Sequence, residues 1–193
     1  MKMEKIKIQK KQGSVVEILK HEILLGNIPS GTEMTQNELA TSLGVSRMPV
    51  REALILLEYQ GLIDRLPNNH VRVAQLSEEY FRKIFELCIH IEKDAILYVL
   101  DTAEDDIILP TEEMNFHKFL YEKYPYSFQK KMLETVIEIY VSFAVNSFSY
   151  NKANGAMLLE AVKDFQKGRE GDLLEVLRKY YKEILSTIMK ERV

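Results

Sequence analysis

A chain of 193 residues, 46% hydrophobic and 28% charged, has ordinary globular composition and enough apolar material for one large or two small cores. No stretch approaches the ~18 apolar residues that a membrane span requires, and the single cysteine, Cys88, excludes an internal disulfide and a cysteine-built zinc cage. The net charge of −3 is uneven: residues 1–75 hold 10 Lys and Arg against 8 Asp and Glu, and residues 76–193 hold 16 against 21. A phosphate-binding surface must therefore be local.

Met1 to Gln12 carries Lys2, Lys5, Lys7, Lys10 and Lys11 and lacks the apolar run of a signal peptide, so a cytoplasmic location is expected. Residues 1–12 read as a basic arm, either a solvated tail or a segment that touches phosphates or a minor groove. Val15, Val16, Ile18, Leu19, Ile23 and Leu24 then recur at helical spacing behind Ser14 as a cap, and Gly26 to Gly31 break the helix. Thr35 and Glu38 form a capping box for a second, short helix with Leu39, Ala40 and Leu43 inward. Gly44 closes it, because a helix end favours a residue free to take positive φ. Ser46 is placed to cap a third helix, with Pro49 in its first turn and Val50, Ala53, Leu54 and Leu57 as its buried stripe. Gly61 ends that helix. Leu62–Leu66 and Val71–Val73 read as two short strands around a Pro67–His70 turn.

From Ser77 onward the pattern is helical throughout. One long helix reaches about Asp101, with a stripe of Phe81, Ile84, Leu87, Ile91, Ala95 and Tyr98. A second opens at Thr111 to Met114 and ends near Tyr124 and Pro125. A third runs from Tyr126 to about Ser149. Asn154-Gly155 separates a fourth, ending near Lys167, and Gly168 with Gly171-Asp172 opens a last one. The expected fold is mainly α: a winged helix-turn-helix over 13–75 and an antiparallel helical bundle over 76–193.

Two short helices joined by a tight turn present the second helix to a major groove. Its N-terminus favours phosphate through free N–H groups and the helix dipole. Arg47 and Arg51 share a face one turn apart, where guanidinium forks can read guanine O6 and N7. Ser46 suits a phosphate oxygen, Met48 a thymine methyl, and Asn69 and His70 a neighbouring minor groove or the backbone. The competing explanation for the two arginines is an ordinary solvated helix face. The turn, the capped second helix and the hairpin weigh against it.

Pro29-Ser30-Gly31-Thr32, Glu38-Leu39-Ala40, the run Leu43 to Leu54 (LGVSRMPVREAL), and Gly61-Leu62-Ile63 resemble the GntR family over about the first 75 residues. The resemblance implies a transcriptional regulator that binds a short inverted repeat as a dimer. It implies DNA contacts at Asn37, Ser46, Arg47, Met48, Pro49, Arg51, Asn69 and His70. The family commonly has glycine near Asn69, so the hairpin departs from the pattern. The second half resembles the all-helical effector domain of the FadR-like branch. Glu86 to Glu92 looks like its opening helix, with Cys88 where arginine is usual. Glu113 and His117 look like its metal motif with Glu for Asp. This implies an effector pocket and a divalent metal site at Glu113 and His117, and an organic acid as the small-molecule effector. The branch adds histidines from its last helices, and this sequence has none after His117; Glu160 and Glu183 lie near their expected places.

Two other functions compete with this one. A metal-dependent enzyme would centre on Glu113 and His117, but no glycine-rich phosphate loop or nucleophile motif accompanies them, so a non-enzyme is expected. A ligand-independent winged-helix adaptor would leave Arg47 and Arg51 without purpose. His21 and His90 are expected to be structural or exposed.

Overall fold

A computed structural model describes residues 14–67, 70–102, 107–169 and 171–192. The chain divides into two compact units, one of Met1–Ser77 together with Arg192–Val193 and one of Glu78–Glu191.

The first unit has the order α1 (Val15–Leu25), β1 (Glu33–Thr35), α2 (Gln36–Leu43), α3 (Arg47–Tyr59), β2 (Ile63–Arg65) and β3 (His70–Val73). The Ser14 hydroxyl accepts from the Glu17 amide at 3.4 Å and caps α1, and Gly26, at φ 85°, ends it. Leu19, Ile23 and Leu24 of α1 meet Val50, Ala53, Leu54 and Leu57 of α3 in one core with Met34, Leu39, Leu62 and Val71. Each large aliphatic side chain buried there contributes roughly 1.5–3 kcal/mol. The sheet is antiparallel in the order β1-β3-β2. Strand β1 was not anticipated. Three residues between a turn and a capping box are too few for a period-two pattern to register.

In the second unit, α4 (Glu78–Thr102) is followed by α5 (Glu113–Lys123), α6 (Ser127–Val136), a π-helical turn (Ile137–Val141), α7 (Ser142–Val145), α8 (Ala153–Gln166) and α9 (Leu173–Glu191). The expected third helix, Tyr126 to Ser149, is thus α6, the π turn and α7 in succession. Ile137, Ile139, Tyr140 and Val141 are all buried. A turn buried on nearly all sides is enclosed by its neighbours, and π turns occur as single-turn insertions within longer helices. Asn154 and Gly155 lie inside the first turn of α8 rather than between helices.

The stripe expected on α4 also shifts. Phe81 and Ala95 are buried, but so are Phe85, Cys88, Ile89, Glu92, Ile96 and Val99, while Leu87 is 51% exposed. The inward face contains a glutamate and a thiol, and a reading by apolar residues alone slid off it. Tyr140 packs edge-to-face on Phe81 and Phe85, at centroid distances of 5.4 and 6.4 Å. No helix among the described residues is long and apolar enough to cross a membrane.

Candidate nucleic-acid interface

The approach to the interface is built from α2 upward. The Thr35 amide donates to Glu38 Oε2 at 2.8 Å, and the Glu38 amide donates to Thr35 Oγ1 at 3.2 Å, so the capping box is made in both directions. Gly44, at φ 67°, turns the chain, and the Val45 amide donates to the Ala40 carbonyl. Helix α3 then starts at a fixed angle. Its buried stripe sets its rotation, so Arg47, Met48 and Arg51 are left exposed.

Ser46 occupies the N-cap position of α3, but its side chain makes no capping hydrogen bond. This corrects the expected cap. The first amides of α3 are without a side-chain acceptor there, and Pro49 in the first turn has no N–H to satisfy. An uncapped, exposed helix start flanked by arginines is an anion-receiving arrangement.

A polar concavity of about 570 Å³ is lined by Thr35, Gln36, Asn37, Arg47, Arg51, Arg65 and His70. Strand pairing explains why these residues meet. The β1–β3 register sets Thr35 opposite His70, which brings the start of α2 beside the hairpin. Arg65, on β2, is held by Glu58, with its Nε and Nη2 donating to Oε2 at 2.9 and 2.8 Å. Among the described residues no carboxylate pairs with Arg47 or Arg51, and both guanidinium groups face solvent. Of the residues expected at DNA, Asn37, Arg47, Arg51 and His70 converge on this concavity. Ser46, Met48 and Pro49 lie at the start of α3 outside its lining. Asn69 and the arm over 1–12 fall outside the described residues. Thr35, Gln36 and Arg65 were missed. Arg65 carried no signal: strand alternation sets it on the same face as buried Ile63, and only its place at the end of β2 leaves it exposed.

Glu113 and His117, the expected effector and metal pair, stand one turn apart on α5. They join a buried hydrogen-bonded chain. His117 Nδ1 lies 2.6 Å from Glu92 Oε1, and His117 Nε2 lies 2.9 Å from the Tyr180 hydroxyl. Tyr180 donates to Glu113 Oε1 at 2.6 Å, as does Tyr150, and Tyr181 donates to Glu92 Oε2 at 2.5 Å. Cys88 Sγ lies 3.2 Å from the Tyr181 hydroxyl. Burial, with nearby carboxylates adding to it, pushes the Tyr180 hydroxyl well above the ordinary tyrosine range. Burial, then Cys88 and Glu92, does the same to Tyr181. Burial also raises the Cys88 thiol. These groups stay protonated and donate.

That chain decides how well a metal fits. Tyr180 gives its proton to Glu113, so it accepts from His117 Nε2–H. The opposite nitrogen is engaged by the Glu92 carboxylate. Neither imidazole lone pair is open to a cation. Among the described residues no group of three His, Cys, Asp or Glu side chains is placed to hold a metal ion. The side chains around His117 do not fit a first-row divalent metal. Glu160 is exposed and Glu183 half-exposed, and neither joins the chain.

A three-stranded wing beside two helices, with exposed arginines opening the second, defines a winged helix-turn-helix DNA-binding module. Residues 11–73 match the family model described as bacterial regulatory proteins, gntR family. That match covers the first unit and not the helical one, so the similarity to the family is a similarity of the DNA-binding module. It is 34% identical over 88 residues to the uncharacterized HTH-type transcriptional regulator YdhC of Bacillus subtilis, a stretch that is 46% of this chain and 39% of that protein. Across the first curated relatives the match spans 22–43% of their length. Two solved structures share the whole architecture. One is Lar, described as controlling expression of the Listeria monocytogenes agr system (TM-score 0.57, 15% identity, 94% of this chain and 99% of that one). The other is Escherichia coli McbR/YncC (TM-score 0.52, 16% identity, 97% and 99%). At these identities the likeness establishes the fold: a winged helix-turn-helix followed by a helical domain.

Proposed function

We propose that this protein is a transcriptional regulator that binds an inverted-repeat operator as a homodimer, and that a small molecule held by the helical unit sets its affinity for DNA. The observation that carries the DNA-binding reading is the pair Arg47 and Arg51. They are exposed, unpaired with any described carboxylate, and set beside Asn37 and His70 in one polar concavity. A guanidinium that forms no internal ion pair keeps its full capacity for guanine or phosphate. Arg47 and Arg51 are assigned to base edges or flanking phosphates, Ser46 and the open amides of α3 to phosphate, and Asn37 and His70 to the backbone beside the groove.

Two heads on one dimer match a palindromic site, since protein and operator then share a two-fold axis. Coupling between effector and DNA requires the effector to prefer one of two states of the dimer. The resemblance to the FadR-like branch points to an organic acid. Because His117 is closed to metal, the effector is expected to act without a bound cation.

Selection of duplexes from a random pool tests this reading. The expected product is an inverted repeat, bound with a stoichiometry of two chains. Recovery of no enriched sequence, with binding equal on all duplexes, would overturn it.

A further inference from the structure

The helical unit carries a second feature, separate from the buried chain around His117. A cleft of about 540 Å³ opens between the C-terminal half of α4, the start of α6 and the end of α8. Asp94, Leu97, Tyr98 and Asp101 line it from α4, Tyr126 from the α6 N-cap and Phe165 from α8.

Positions 94, 98 and 101 fall on one face of a helix, so Asp94 and Asp101 sit about 10 Å apart along the axis with Tyr98 between them. Tyr98, Tyr124 and Tyr126 pack edge-to-face, with centroids 5.3 to 6.3 Å apart, into a rigid aromatic wall. The Tyr124 hydroxyl donates to Asp94 Oδ2 and anchors that carboxylate. Among the described residues, the charged side chains lining the cleft are these two aspartates. The volume falls within the range of small-molecule sites.

We propose that this cleft binds an organic cation: a protonated or quaternary amine with an apolar body. Aromatic faces attract a cation through the ring quadrupole, and low-dielectric walls focus the field of the two carboxylates onto it. An organic anion would meet two like charges and no counter-charge. A purely apolar ligand would leave the carboxylates partly desolvated without a partner. A bare metal ion would find two carboxylates two helical turns apart, too far to share it.

The 193-residue chain is titrated with benzyltrimethylammonium, with benzyl alcohol and phenylacetate as neutral and anionic counterparts, and followed by backbone amide NMR. Saturable shifts are expected around Tyr98, Asp101 and Tyr126 with the cation. Affinity is expected to be about tenfold above that for benzyl alcohol, and phenylacetate is expected to cause no shifts there. Asp101→Asn, at an exposed position, is expected to weaken the cation about fivefold or more and keep the circular dichroism of the parent. Tyr126→Ala serves as a second variant on the aromatic side and is expected to weaken it similarly. Equal binding of phenylacetate, unchanged affinity in both variants, shifts confined to other parts of the chain, or no saturation in the millimolar range would each overturn the proposal. No DNA is present, so the result stands apart from the DNA-binding reading.

Discussion

Removing the Arg51 side chain separates recognition from folding more cleanly than any other change in the first unit. The guanidinium is exposed, and no described carboxylate pairs with it. Arg51→Ala therefore deletes no internal interaction, and alanine is at least as good a helix former as arginine. The stability of the unit is expected to move by less than about 0.5 kcal/mol. Binding is another matter. A guanidinium read bidentately by a guanine is worth about 1–3 kcal/mol in discrimination, or roughly 5- to 150-fold per head. A dimer that uses both heads loses that amount twice. Fluorescence anisotropy on the selected duplex, at several salt concentrations, measures the loss. Arg51→Lys retains the charge but not the fork, so it is expected to recover non-specific affinity and not sequence preference. Loss of one phosphate-neutralising charge lowers the salt slope by about one per head. An Arg51→Ala protein that binds the operator within twofold of the parent would refute the assignment. So would one that loses several kcal/mol of stability, because the side chain would then be structural.

Other predictions follow from particular contacts. Thr35→Ala breaks the reciprocal capping box and is expected to cost about 1 kcal/mol of stability, whereas Ser46→Ala, which removes no capping bond, is expected to be near neutral to folding and to weaken DNA binding; urea denaturation and anisotropy distinguish the two. A Cβ at Gly155 would lie 2.0 Å from Glu113 Oε2. Gly155→Ala is therefore expected to displace that carboxylate and destabilise the helical unit by about 1–3 kcal/mol in thermal melts. His117→Ala leaves Glu92, fully buried, without its imidazole partner, and is expected to cost about 3–5 kcal/mol. Chelators and added divalent cations are expected to leave the melting temperature of the parent unchanged; a rise of several degrees on adding zinc would show that the His117 chain opens to metal.

Sequence and structure agree most closely where local chemistry is strong. The capping box at Thr35 and Glu38, the positive-φ glycines at Gly26 and Gly44, and the buried stripe of α3 each depend on neighbours within a few residues, and each is visible in a single segment. The grouping of Asn37, Arg47 and Arg51 follows from those elements. The part that did not show depends on long-range pairing. Strand β1 exists because Glu33–Thr35 lies against β3, and that pairing carries His70 and Arg65 to the start of α2. In the helical unit, reading by hydrophobicity missed a face that buries Glu92 and His117. A polar side chain satisfied inside a core carries no apolar signature, and the partners are distant along the chain: Tyr180 lies 63 residues from His117, and Tyr181 lies 89 from Glu92. The family pattern drew attention to Glu113 and His117 correctly as neighbours, but hydrogen bonds from tyrosines decide what the imidazole can do.

Amide hydrogen exchange of the full chain, with and without the selected duplex, tests the DNA-facing surface most directly. Protection is expected at the start of α2, from Gly44 through Arg51, and at β3 near His70, fading as salt is raised. Protection confined to the helical unit, with Gly44 to Arg51 exchanging as fast as in the free protein, would contradict the account.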